Sequence, residues 1–306
     1  MGCGAASDPG KVSRVTNTAD LLHQFWGMRG AEVQPLGGGM NSETWLVKHQ
    51  CSTYVAKHVP PSAVADLLAG GEIAAKLAEA GFVTGPPVPA FDGTLVLTDH
   101  ALALLEHVPG RELKGESDEE QRWIASTLAA VHTASGPATG PSTATFQADW
   151  LSPQLQGLDA HPWLASAIEV VRAETDPLAV TWSVLHTDPA PEAFVHDDTT
   201  GVTGLIDWAG AKRGPVLYDV ASAVMYLGGT QSATAFLSTY GTQGPLDTDE
   251  MTLLDVFRRF RWAVQGAYFA WRLAAHDLTG GVEQSDNERG LDNARHGLAS
   301  LGLDVA

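Results

Sequence analysis

The chain has 306 residues, 44% of them hydrophobic, enough for two lobes around a substantial core. A formal net charge of −18 argues against nucleic-acid binding, since phosphate backbones attract basic faces; an acidic surface draws cationic partners and equally serves solubility alone. Two cysteines, Cys3 and Cys51, exclude a disulfide framework and a Cys-rich zinc site, and no segment has the pattern of a signal peptide or a membrane span. These features predict a cytoplasmic protein, monomeric or homodimeric, with neither a nucleic acid nor a membrane as partner.

In chain order, residues 1–17 are rich in Gly, Ala and Ser and are expected to form a flexible arm. Thr18 to Trp26 places Leu21, Leu22 and Phe25 at helical spacing. Val33 to Val47 reads as two strands joined by a glycine turn, Gly37 to Gly39, with Asn41 and Ser42 following. Such glycines let backbone amides approach a phosphate, and they equally make a plain hairpin turn. No Walker sequence follows them. Tyr54 to Val59 is a strand that carries Lys57, one of only six lysines, among apolar neighbours; a buried ammonium there needs a partner, while an edge position would leave it in water. A helix is predicted from Glu72 to Ala80, ended by Gly81. Two further strands, over 95–97 and 101–105, lead to the segment Leu105 to Gly110.

Ser117-x-x-Glu120 is a capping box that starts a helix running to about Thr133, with His132 as a satisfied structural residue. Phe146 to Glu174 is less periodic and reads as a helical insertion. Pro215 to Leu227 is a helix closed by Gly228 and Gly229. A second capping box, Asp247-x-x-Glu250, opens a run from Met251 to about Thr279 that would span roughly 40–45 Å if unbroken. Ser285-x-x-Glu288 caps a last helix to Leu301.

The most informative stretch is Val184 to Trp208. Two short apolar strands each end in a polar turn, and the turns carry Asp188 and Asp207. Paired acids of this kind suit phosphoryl transfer, in which one orients a hydroxyl and the other holds a metal. His186-x-Asp188, then Ile206-Asp207-Trp208, then Arg213-Gly-Pro with Tyr218-Asp219-x-Ala221-Ser222, resembles the aminoglycoside phosphotransferase family. The resemblance implies an α+β, two-lobed protein-kinase-like fold: an antiparallel N-lobe over 18–106 that binds nucleotide, and a mostly helical C-lobe over 107–306 that carries catalysis and the acceptor.

By the same resemblance, Asp188 is the catalytic aspartate, supported by His186, and Asp207 holds Mg2+. Asp219 anchors the catalytic loop through hydrogen bonds. Lys57, partnered by Glu72, holds the phosphates of ATP or GTP beneath the loop of Gly38, Gly39 and Ser42. The backbone of Glu106 and Val108 meets the purine edge. Trp262, Tyr268 and Arg272, together with Arg261 and Asp277, come from the region that builds the acceptor pocket, although an aromatic stripe is more often core.

The family asparagine five residues after the catalytic aspartate falls on Ala193, so Glu192 is the candidate replacement as a metal ligand or else a solvent-facing acid; Thr187 stands where glycine is usual, a milder change. The implied function is transfer of a γ-phosphate to a hydroxyl of an aminoglycoside or nucleoside-type antibiotic, conferring resistance. The alternatives are a kinase of a sugar, homoserine or choline-like alcohol, and a nucleotide-binding pseudokinase suggested by Ala193. A metal hydrolase built on the HxD triplet lacks further ligands nearby.

Overall fold

The computed structural model describes residues 9–37, 40–148 and 150–305, with side chains from Thr18 onward. The chain divides into two units, Met1–Val108 and Pro109–Ala306.

The first unit opens with α1 (Pro9–Trp26). The expected arm is therefore helical from Pro9. Proline suits a first helical position, where its missing N–H costs nothing, and the small residues that suggested an arm are followed by a segment able to continue the helix. Strands β1 (Glu32–Leu36), β2 (Glu43–His49), β3 (Ser52–His58), β4 (Val96–Leu97) and β5 (Leu102–Glu106) form one antiparallel sheet in the order β1-β2-β3-β5-β4. Leu21, Leu22, Trp26 and Met28 cluster with the sheet residues Trp45, Val47, Ala56, Leu102 and Leu104. Completing that face, the Trp26 indole donates to Val88 O at 2.8 Å.

Helix α2 (Val64–Glu79) begins eight residues before the predicted start. The added turns carry Gly70 and Gly71, residues of weak helix propensity. In the fold Leu67, Gly70, Ala74 and Leu77 form its buried face, and a Cβ on Gly71 would meet Pro87 Cγ at 3.3 Å. Close packing against Pro87 thus outweighs the weak helix propensity of glycine.

The second unit contains two small antiparallel sheets. One is β10 (Val202–Leu205), β9 (Phe194–Asp197) and β6 (Arg111–Glu112); the other is β11 (Lys212–Pro215), β8 (Thr181–Leu185) and β7 (Ala138–Thr139). The helices are α3 (Asp118–Ala134), α4 (Ala144–Gln147), α5 (Pro162–Thr175), α6 (Val216–Tyr226), α7 (Thr234–Gln243), α8 (Thr248–Met251), α9 (Leu254–Ala275) and α10 (Gln284–Ser300). Helix α9 packs against α5, α6 and α10.

Three further helix starts differ from the sequence expectation. Ser117 Oγ accepts the Glu120 N–H, but the Glu120 carboxylate turns to the Lys114 and Gly115 amides at 2.9 Å each and to Arg111. The long run does not start at Met251: Asp247 caps α8, and α9 starts anew at Leu254, giving 22 residues, about 33 Å at the standard rise. The Glu250 carboxylate, expected to complete a cap, instead accepts from the backbone and hydroxyl of Thr181. At α10 the box is made by Glu283 and Asp286, two residues before the predicted pair.

Candidate active site

In the first unit, Lys57 lies on β3 with Thr44 of β2 and Ala103 of β5 as its cross-strand partners. It is therefore on an inner strand and is 7% exposed. Glu72 is exposed in the third turn of α2 rather than at a helix start. Ser42 is buried just before β2, and Gly38 and Gly39 lie outside the described residues. Glu106 ends β5, and its N–H donates to Pro86 O at 3.0 Å. Val108 follows two residues later and is half-buried.

The second unit gathers the remaining chemistry around one buried carboxylate. Asp219 sits in the first turn of α6 and is fully buried. Its Oδ2 accepts the His186 N–H at 2.7 Å, and its Oδ1 accepts the Thr187 N–H at 2.8 Å. The His132 Nε2 also donates to Oδ2 at 3.1 Å, while His132 Nδ1 pairs with the Tyr240 hydroxyl at 2.6 Å. A buried carboxylate needs such donors, and these fix the two residues ahead of Asp188. His132 is thus structural, and it steadies the anchor of the loop.

The Asp188 loop is also tied to the Asp207 loop. The buried His186 ring donates through Nε2 to Ile206 O at 2.7 Å and packs edge-on to Trp208. Thr187 Oγ1 donates to Gly210 O at 3.0 Å, and Ile206 N–H donates to Ala193 O at 2.9 Å. Three bridges therefore hold residues 186–193 against residues 206–210. Both Asp188 and Asp207 are exposed, so each carboxylate is presented on a rigid frame rather than buried within it. His186 serves that frame: with Nε2 donating, Nδ1 is buried with no partner among the described residues.

Two backbone positions are strained. Thr187 has φ +76° and Asp207 has φ +68°. A β-branched residue in the left-handed region costs about 1–3 kcal/mol, so replacing glycine at 187 is not the mild change the sequence suggested. The threonine hydroxyl offsets part of that cost through its bond to Gly210.

Asp188 Oδ1 accepts from the Tyr226 hydroxyl and, at 3.1 Å, from Arg261 Nη2. Arg261 Nε also donates to Ser222 Oγ at 2.6 Å. Burial holds the Tyr226 hydroxyl well above the usual phenol range, and the Asp188 charge adds to that effect, against an opposing one from Arg261; the phenol therefore remains a donor. Tyr226 was missed in the sequence, and Ser222 was read there only as part of the motif, with no contact of its own. The available signal was a polar stripe, Asp219, Ser222 and Tyr226, at i, i+3 and i+7 on an otherwise apolar helix.

Trp262, Tyr268 and Arg272 lie on α9, nearer α10. A Cβ on Gly297 would meet the Trp262 ring at 2.3 Å, so the indole packs against that helix. Arg272 is fully buried; it donates to the Tyr268 hydroxyl at 2.8 Å and to Asp277 O and Thr279 O at 3.1 and 2.9 Å. These contacts build the corner between α9 and α10.

As to a metal, no group of three or more His, Cys, Asp or Glu side chains gathers among the described residues. Magnesium at a phosphoryl-transfer site takes one or two carboxylates and completes its shell from phosphates and water, a requirement that the exposed Asp207 fits. Ala193 is buried and offers no ligand atom, whereas the adjacent Glu192 is exposed.

A family model described as the phosphotransferase enzyme family matches residues 32–254. The chain belongs to this family. It is a phosphotransferase. No curated protein sequence matches it significantly. Solved structures share its fold. An amicoumacin kinase in complex with AMP-PNP and Ca2+ is 12% identical, with a TM-score of 0.75 and 97% of each chain covered. A choline kinase from Streptococcus pneumoniae is 17% identical, with a TM-score of 0.69, covering 94% of this chain and 99% of that one. The GDP complex of an aminoglycoside 2′-phosphotransferase is 18% identical, with a TM-score of 0.65, covering 93% and 98%. At these identities the likeness shows the kinase-like fold. No helix of the described residues is long and apolar enough to cross a membrane.

Proposed function

We propose that this phosphotransferase moves the γ-phosphoryl group of ATP or GTP to a hydroxyl of a small-molecule antibiotic, of aminoglycoside or nucleoside type, and so confers resistance. The observation that carries the reading is the exposed carboxylate of Asp188 on a loop held by Asp219 and joined by His186 to the residue before Asp207. The acceptor hydroxyl donates its hydrogen bond to Asp188 and is aimed in line with the phosphorus; the hydroxyl oxygen then bonds to phosphorus as the bond to the nucleoside diphosphate breaks, and Asp188 takes the proton. Asp207 holds Mg2+, with Glu192 as the second protein ligand in place of the missing asparagine. Mg2+, when bound, neutralises charge on the transferring phosphates.

Lys57 holds the donor phosphates with Glu72 as its partner; Ser42 covers them, and the backbone of Glu106 and Val108 meets the purine. An antibiotic acceptor is supported by the likeness to the amicoumacin kinase. A second reading, an amino-alcohol acceptor, is favoured by the likeness to choline kinase and by the net charge of −18. The test is a panel of antibiotics, sugars and amino alcohols incubated with enzyme, Mg-ATP and Mg-GTP, followed by product mass. A phosphorylated antibiotic supports the first reading. A product found only among amino alcohols overturns it for the second.

A further inference from the structure

Within the reading of Asp188 as the acceptor-orienting aspartate, one feature exceeds what that role requires. An aspartate that only meets a hydroxyl needs one oxygen facing the acceptor and a rigid backbone. Here the backbone is already fixed through His186 and Thr187, yet the side chain is fixed as well. Tyr226 at the C-terminal end of α6 and Arg261 of α9 both donate to the same oxygen, Oδ1. Arg261 Nη2 also reaches the Tyr226 hydroxyl at 3.2 Å, so the three groups form a closed triangle.

The guanidinium is itself held from behind. Its Nε donates to Ser222 Oγ, and Ser222 lies one helical turn from Asp219 and one from Tyr226 on α6. The Arg261 side chain is 9% exposed, whereas that of Asp188 is 63% exposed. A buried arginine presented to an exposed carboxylate is costly to build for stability alone, because an exposed partner returns little and the guanidinium gives up its hydration. The arrangement makes sense as control of a rotamer.

We propose that Tyr226 and Arg261 are positioning residues that clamp Asp188 Oδ1 and leave Oδ2 as the one oxygen available to the acceptor hydroxyl. Without the clamp, the carboxylate rotates about χ1 and χ2 on its exposed side and presents either oxygen. Transition-state alignment then suffers while substrate binding does not, because the polar contacts of both residues run to Asp188, to Ser222 and to each other. The guanidinium also balances the Asp188 charge locally, so the acceptor needs no cationic group beside its reacting hydroxyl.

The test uses Tyr226→Phe, Arg261→Lys and Asp188→Asn in the full chain, with the best acceptor from the panel. Tyr226→Phe keeps the ring and removes only the hydroxyl, whose partners are Asp188 and Arg261. Tyr226→Phe should lower kcat about tenfold to a hundredfold, with KM for both substrates within about twofold and an unchanged unfolding midpoint. Arg261→Lys, which keeps charge and loses the fork, should show a smaller loss of kcat. In the Asp188→Asn background, Tyr226→Phe should add no further loss, which a merely structural role would not produce. Wild-type kcat in Tyr226→Phe, or equal additive losses with and without Asp188, overturns the clamp and leaves the phosphotransferase reading standing. A wild-type enzyme that neither phosphorylates any acceptor nor hydrolyses nucleotide overturns both.

Discussion

Thr187 and Gly210 are fitted to each other across the Asp188 and Asp207 turns. The Thr187 hydroxyl donates to Gly210 O at 3.0 Å, and a Cβ on Gly210 would lie 2.7 Å from that same hydroxyl oxygen. The pair is a matched exchange: a side chain at 187 requires the absence of one at 210. Gly210→Ala should destabilise the protein by about 1–3 kcal/mol through overpacking and the lost bond. Thr187→Gly should stay within about 1 kcal/mol of wild type, since relief of the +76° φ offsets the lost hydrogen bond and the looser unfolded chain. The double variant should recover most of the loss of Gly210→Ala. Denaturant midpoints of the four proteins check this; additive losses would contradict the exchange.

Asp188→Asn keeps the shape of the side chain and removes the proton acceptor of the proposed transfer. Transfer should fall by about 10²–10⁴-fold, the usual scale of a lost general base. Nucleotide affinity, measured by calorimetry, should change less than about threefold, because phosphate binding is assigned elsewhere. A large loss of nucleotide affinity would mean that Asp188 belongs to the donor site.

Asp219→Ala removes an acceptor from two backbone amides and from His132 in a fully buried setting. Orphaned buried donors cost about 1–3 kcal/mol each, so with three of them a loss of at least about 3 kcal/mol is expected. Hydrogen exchange should quicken at the His186 and Thr187 amides before it does elsewhere. Unchanged protection at those two amides would show that the loop is held by something else.

Glu192 stands beside the buried Ala193 and is exposed. If it substitutes for the family asparagine, Glu192→Ala should raise the magnesium concentration for half-maximal rate by about tenfold, the scale expected of a lost metal contact. Magnesium titrations of the two enzymes decide this, and superimposable curves would defeat the substitution.

Stability should fall at alkaline pH. Burial pushes the Tyr218 and Tyr240 hydroxyls well above the usual phenol range, with the Asp219 charge adding to both. In the unfolded chain these phenols lose their protons near pH 10, while the folded protein keeps them. The folded state then binds more protons, so the two groups contribute fully below about pH 10 and progressively less above it. The slope is about 1.4 kcal/mol per pH unit for each fully buried phenol. Tyr240→Phe should reduce that slope by one group's share. Unfolding curves across pH 9 to 11 report it.

The phosphotransferase motif was legible because its chemistry is local. His186, Asp188 and Asp207 lie within 22 consecutive residues, and their turns are short enough to read directly. Lys57 stood out as a charge in an apolar strand. The helix starts were less legible, for tertiary reasons. Gly71 packs against Pro87, which no local propensity reveals, and Glu250 abandons its own cap for Thr181, 69 residues away. Arg261 was one candidate among five residues of an acceptor-building helix; only the fold shows its Nη2 on Asp188. The strain at Thr187 was hidden because a sequence gives a residue type and no φ.

The hydrogen-bonded line from Tyr240 through His132 to Asp219 joins positions 108 and 87 residues apart in the chain. None of the three side chains reaches solvent, so a change in one strands a polar atom on the next. In evolutionary terms they form a linkage group: descendants of this chain should retain all three together or replace them in concert, even as the segments that select the acceptor drift freely.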